Sequence, residues 1–171
     1  MITTRMAQIG LMVLLTAGSV SAVMAGSPND FVEKAAQGGI AEIESSKVAL
    51  EKSSAADVKA FAQHMIDDHT RANQDLMGLA KKLEIDLPDV ATLTAQANAE
   101  AKKMALDVRP ELFDKTYADK QVKAHEKALL LFKEKAAATV DTPLKVFAEK
   151  TLPTLEMHLD MAKKLQSQHA R

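Results

Sequence analysis

The chain has 171 residues, a formal net charge of −1, 4% aromatic residues, and neither tryptophan nor cysteine. Near-neutrality gives no electrostatic case for nucleic acid or an anionic membrane as main partner, and so few aromatics leave no stacking platform for bases. Without cysteine there is no disulfide, thiolate ligand, cysteine nucleophile, iron–sulfur cluster or c-type haem attachment.

The first 25 residues have the layout of a secretory signal peptide. Arg5 supplies positive charge, "IGLMVLLTAGSV" is an apolar run, and small residues precede cleavage after Ala22 or Ala25. The run is too short to span a bilayer well, and an uncleaved anchor is the competing reading. The expected organisation is a signal peptide over 1–25 and a single domain over 26–171. The domain is exported to the periplasm with no stable membrane span after cleavage. Outer-membrane association or secretion stays open.

No stretch alternates like a strand, and the Ala-, Leu-, Met-, Lys- and Glu-rich composition favours helix. The first predicted helix runs from Pro28 to Lys52, with Asn29 and Asp30 favouring its start. Phe31, Val32, Ala35, Ala36, Ile40, Ile43 and Leu50 form its apolar side. Gly38 and Gly39 interrupt it, which suggests close approach of another helix backbone or a weak point. The second, Ala55 to Glu84, carries Val58, Phe61, Met65, His69, Ala72, Leu76 and Leu79 at three-four spacing, and Ser53 or Ser54 is the expected cap. A connector follows whose Asp89–Asp107 portion can be helical, although it is alanine-rich and weakly apolar. The third long helix, Glu111 to Thr139, has Phe113, Tyr117, Val122, His125, Leu129 and Phe132 on its stripe. The fourth, Pro143 to Gln166, has Leu144, Phe147, Leu155, His158, Ala162 and Leu165, with Asp141 or Thr142 as cap. Pro153 lies inside it and predicts a kink. The simplest arrangement is a ferritin-like four-helix bundle with a long, partly helical crossover between the second and third long helices. An up-down bundle with the connector packed as a fifth helix is the alternative.

Five histidines occur. His64 falls on a polar face and His169 in the tail, and both are expected in solvent. His69, His125 and His158 sit on the apolar stripes of three different helices, each roughly 23–26 Å from its hairpin turn. They therefore meet near mid-height. On the first helix Glu42 borders the inner face made by Ala35, Gly39, Ser46 and Ala49, and reaches the same level, with Glu44 as the less inward alternative. Neutral imidazoles with a carboxylate make a donor set for zinc, copper, nickel or iron, and Asp68, Glu126 or Glu156 is placed to hold an outer ring nitrogen. A conventional paired-iron site is not supported. It needs Glu three residues before the histidine on two helices, where Ile66, Val122 and Leu155 stand.

The stretches "FVEKAAQGGIAEIE", "VKAFAQHMIDDHTRA", "LFDKTY", "AHEKALLLF" and "LKVFAEKTLPTLEMHL" resemble the bacterial domain of unknown function 4142 family, over about Asp30 to Leu165. The pieces M-x-x-D-H-T and T-L-P-x-L-x-x-H-L are its most specific elements. The resemblance implies a ferritin-like bundle, mainly in exported proteins, with no established activity. It also implies recurring polar positions at Glu42, Asp68, His69, His125 and His158. The chain departs where relatives often carry an acid before the second histidine; here it is Ala124.

Two functions stay open. One is a periplasmic bundle binding a transition-metal ion through His69, His125, His158 and Glu42. The other is a metal-free structural or interaction module of the envelope with a buried histidine layer, its partner an envelope protein or a second copy. No catalytic motif is present, so an enzyme ranks below both.

Overall fold

The structure, a computed structural model, describes residues 28–87, 89–140 and 142–170. The expected signal peptide lies outside them. Among the described residues there are five α-helices and no strand: α1 (Pro28–Lys52), α2 (Ala56–Lys82), α3 (Val90–Asp107), α4 (Phe113–Ala136, entered through one 3-10 turn, Pro110–Leu112) and α5 (Pro143–Gln168). No helix among them is long and apolar enough to cross a membrane.

Helix ends follow local chemistry. Asp89 caps α3 by accepting from Thr92 N at 3.0 Å, and Thr142 caps α5 by accepting from Lys145 N at 3.1 Å. At α2 the expected serine cap does not form. Ala55 occupies the cap position, while Ser53 Oγ accepts from Ala55 N and steers the chain into the helix. α2 ends with Ile85 N donating to Ala80 O and Glu84 N to Lys81 O, a Schellman closure that puts Glu84 at φ 53°. α5 continues unbroken through Pro153.

Pairwise packing sets the topology. α1 packs on α2 and α4 on α5, forming two hairpins, and α1–α4 and α2–α5 contacts close the ring. Ser46 near the end of α1 bonds Tyr117 near the start of α4 at 2.8 Å, while Phe31 at the start of α1 meets Phe132 near the end of α4. α1 and α4 are therefore antiparallel. Asp57 at the start of α2 meets His169 after α5, so these two are antiparallel as well. The connector forms α3, which lies on α1 and carries the chain from one end of the molecule to the other. The two arrangements expected from sequence thus merge, because the crossover is itself a packed fifth helix. Only Leu93, Ala101 and Met104 of α3 are buried, as its weak apolar pattern implies.

The apolar interior falls into two clusters. One gathers Val48, Phe61, Met65, Tyr117, Val122 and Ala162; the other gathers Phe31, Ala36, Leu76, Leu129, Phe132 and Leu155. Between the clusters lie His69 on α2, His125 on α4 and His158 on α5, and on α1 the buried residues Gly39, Ile40, Glu42, Glu44 and Ser46.

The two glycines of α1 differ. A Cβ at Gly39 would lie 2.8 Å from Asn73 Cγ of α2 and closer still to its Oδ1, while one at Gly38 meets nothing within 4 Å. What approaches is therefore a side chain on α2 at Gly39 alone, not the helix backbone expected at the pair. Gly39→Ala should cost about 1–2 kcal/mol by displacing Asn73, whereas Gly38→Ala should add roughly 0.5–1 kcal/mol through helix propensity. Urea unfolding of the two variants checks the opposite signs, and placing Gly39→Ala in an Asn73→Ala background should abolish its cost.

Candidate metal centre

Three-four spacing turns His69, His125 and His158 inward, and packing makes them neighbours. Their ring centroids lie 5.4–5.6 Å apart, and none is more than 8% exposed. The ring nitrogens available as ligands all lie within 4.8 Å of one another. Around a tetrahedral ion at 2.0–2.1 Å they would sit roughly 3.4 Å apart, a closure of about 1.5 Å at most.

Hydrogen bonds on the far side orient two of the rings. His125 Nδ1–H donates to the carbonyl of Gln121, one turn earlier in α4, at 2.9 Å. His158 Nε2–H donates to Asp68 Oδ2 of α2 at 2.9 Å, and Asp68 in turn accepts from Arg71. Both rings are thereby fixed as neutral tautomers with the other nitrogen facing inward. His69 Nε2, His125 Nε2 and His158 Nδ1 are buried and have no hydrogen-bond partner. Those of His125 and His158 are lone pairs, since the proton of each ring is spent on Gln121 or Asp68.

Electrostatics agree with neutral rings. Burial pushes His69 down to about 3, helped by the charges His125 and His158 would carry, with Asp68 opposing. Burial likewise pushes His125 down to about 4, partly offset by its bond to Gln121. His158 is lowered by burial, with Asp68 pulling the other way. Burial would raise the Asp68 carboxyl, but hydrogen bonds from His158 and Arg71 outweigh it and hold the group below the usual range.

Glu42 is buried at the same level, and burial raises its carboxyl to about 7, with a hydrogen bond from Gln121 pulling back. Its Oε2 has no partner. The close set of possible ligand atoms comprises the three histidines and does not include Glu42, expected as a fourth ligand, which lines the same cavity as His69 and His125. Glu44, expected to be the less inward, is buried too, at 3% exposure. It faces away from the histidines, bonding Lys47 at 2.7 Å and Asn98 of α3 at 2.6 Å. Burial under the crossover helix, not proximity to the centre, explains it.

The remaining expectations divide. His64 is exposed, 3.9 Å from Asp68. His169, expected in solvent, instead bonds Asp57 at 2.9 Å. Glu156 pairs with Lys133 on the surface. Two residues escaped the sequence reading. Gln121 precedes His125 by four and Asn73 follows His69 by four, so each shares its histidine's face; that spacing was the available signal.

A cavity of about 740 Å³ reaches this layer, with Glu42, His69, Asn73 and His125 in its lining. The comparisons with curated proteins and with solved structures returned no significant match. The family described as Domain of unknown function (DUF4142) matches residues 15–165, nearly the whole chain. The chain belongs to the DUF4142 family, in agreement with the stretches around His69 and His158.

Proposed function

We propose that this protein is an exported helical bundle that binds one transition-metal ion through His69, His125 and His158. The observation that carries the reading is the set of three buried ring nitrogens without partners, two of them held inward by outer hydrogen bonds. A buried polar nitrogen without a partner costs about 1–3 kcal/mol, and a cation satisfies the His125 and His158 lone pairs together with His69 Nε2 in the tautomer that protonates Nδ1. Asp68 behind His158 is the carboxylate–histidine pairing that orients metal ligands and raises their basicity. Neutral imidazole suits zinc, copper, nickel and iron. Three protein ligands leave a further position toward Glu42 and the cavity, where a bound water would find a carboxyl acceptor. The single long crossover is the connectivity of ferritin-like bundles, which build metal sites between facing helices.

Equilibrium dialysis of metal-free protein against Zn, Cu, Ni and Fe tests the reading. One ion per chain is expected, and uptake should fail in a His69→Ala/His158→Ala double variant. Absent uptake, or uptake unchanged in that variant, overturns it.

A second reading is supported by the buried Ser46–Tyr117 bond and by Gln121, which place further polar groups near the histidine layer. In it the layer specifies helix packing without metal, and the partner is an envelope protein or a second copy. Acid-sensitive melting that neither metal nor chelator shifts would favour it. Export rests on the layout of residues 1–25. Sequencing the mature amino terminus should give Val23 or Gly26; an intact Met1 on the envelope form counts against it.

A further inference from the structure

The cavity beside the histidines has more apolar wall than a metal and its water need. Leu76, Phe132, Phe147 and Leu155 line its body, and its volume of about 740 Å³ falls in the range of small-molecule sites. Two of its lining residues carry a buried polar atom without a partner, Glu42 Oε2 and Asn73 Nδ2. The Asn73 side chain rests over Gly39, and Gly39 precedes Glu42 by one turn on the same face of α1. One atom is an acceptor without a donor, the other a donor without an acceptor.

A hydroxyl group satisfies both, because it donates one proton and accepts at its oxygen. An ammonium would leave Asn73 unpaired, and against the ionised form of Glu42 a carboxylate would set acceptor on acceptor. We propose that the cavity binds a small neutral organic molecule with an apolar body and one hydroxyl group, which donates to Glu42 Oε2 and accepts from Asn73 Nδ2. His69 and His125 line the same cavity. The site shares Glu42 and the cavity with the metal reading but needs no metal; it is tested on metal-free protein, so failure of one leaves the other intact.

The experiment is calorimetric titration of the metal-free full chain with 4-ethylphenol and, as the matched probe lacking the hydroxyl, ethylbenzene. One equivalent of 4-ethylphenol should bind at least tenfold more tightly than ethylbenzene. In Glu42→Leu, and independently in Asn73→Ala, that preference should fall below threefold. Ala128→Trp, which fills the cavity from α4, should abolish binding of both probes while far-ultraviolet circular dichroism keeps the helical signal. No binding of 4-ethylphenol to the parent chain, equal affinity for the two probes, or unchanged binding in Ala128→Trp overturns the proposal.

Discussion

His69→Leu should have opposite effects with and without metal. In the metal-free protein the His69 ring buries a nitrogen with no partner, so an apolar side chain of similar volume removes a cost of about 1–3 kcal/mol and stability should hold or rise. With metal the sign reverses. An ion bound only to the folded state stabilises it by about 4 kcal/mol when its free concentration is 1,000 times Kd. Losing one of three ligands removes that gain, so the variant should melt at the same temperature with and without zinc. Asp68→Asn separates orientation from ligation. It keeps all three rings but weakens the acceptor behind His158, and metal affinity should drop about 10- to 100-fold. Thermal melts at fixed zinc, with and without chelator, check both. A parent melting temperature indifferent to zinc, or a His69→Leu variant still stabilised by it, would contradict the assignment.

The second large effect is a loss of stability in mild acid by the metal-free protein. His69 and His125 are held neutral in the fold, at about 3 and about 4, while in the unfolded chain they titrate near 6.5. Their depressed values make stability fully present above pH 6.5 and progressively lost below it, as the unfolded chain takes up protons that the folded one refuses. His158 acts in the same direction. Glu42 acts against them: raised to about 7, it takes up a proton in the fold before the unfolded chain does, so it favours the fold as pH falls from 7 toward 4.5. Near pH 6.5 the half-protonated unfolded histidines and the mostly protonated Glu42 nearly offset each other, and by pH 5 about one proton is in excess, so the slope grows to about 1.4 kcal/mol per pH unit near pH 5. Glu42→Gln removes the opposing contribution. It should steepen that slope to about 1.4 kcal/mol per unit near pH 6.5 and about 2.5 near pH 5, and above pH 7 stabilise the protein by about 3 kcal/mol by deleting a buried charge. Urea unfolding in chelator from pH 5 to 8 measures both. A flat profile in the parent chain, or an unchanged slope in Glu42→Gln, would mean the histidines do not sit buried and neutral.

Much of this centre is visible in the sequence because helical period is a reliable guide to facing. His69, His125 and His158 follow the stripes of three helices, and counting residues from the hairpin turns puts them at one height. Asp68 adjoins His69, and its service to His158 follows from α2 and α5 running antiparallel. The failures have a common cause. Glu44 is buried because α3 covers it, and the covering helix has only three buried side chains, too few to advertise its docking in an alanine-rich segment. The contact of Asn73 with Gly39 and the bond of His169 to Asp57 depend likewise on which helices meet, and no local pattern encodes that. The absent serine cap on α2 is a shift of one or two residues, within the usual scatter of helix ends.

The most direct test of the central claim is X-ray absorption at the zinc edge of the zinc-loaded protein. Three imidazole nitrogens at about 2.0–2.1 Å with one oxygen completing a four-coordinate shell is the expected result. A shell with fewer than three imidazoles, or one made only of oxygen, would contradict it.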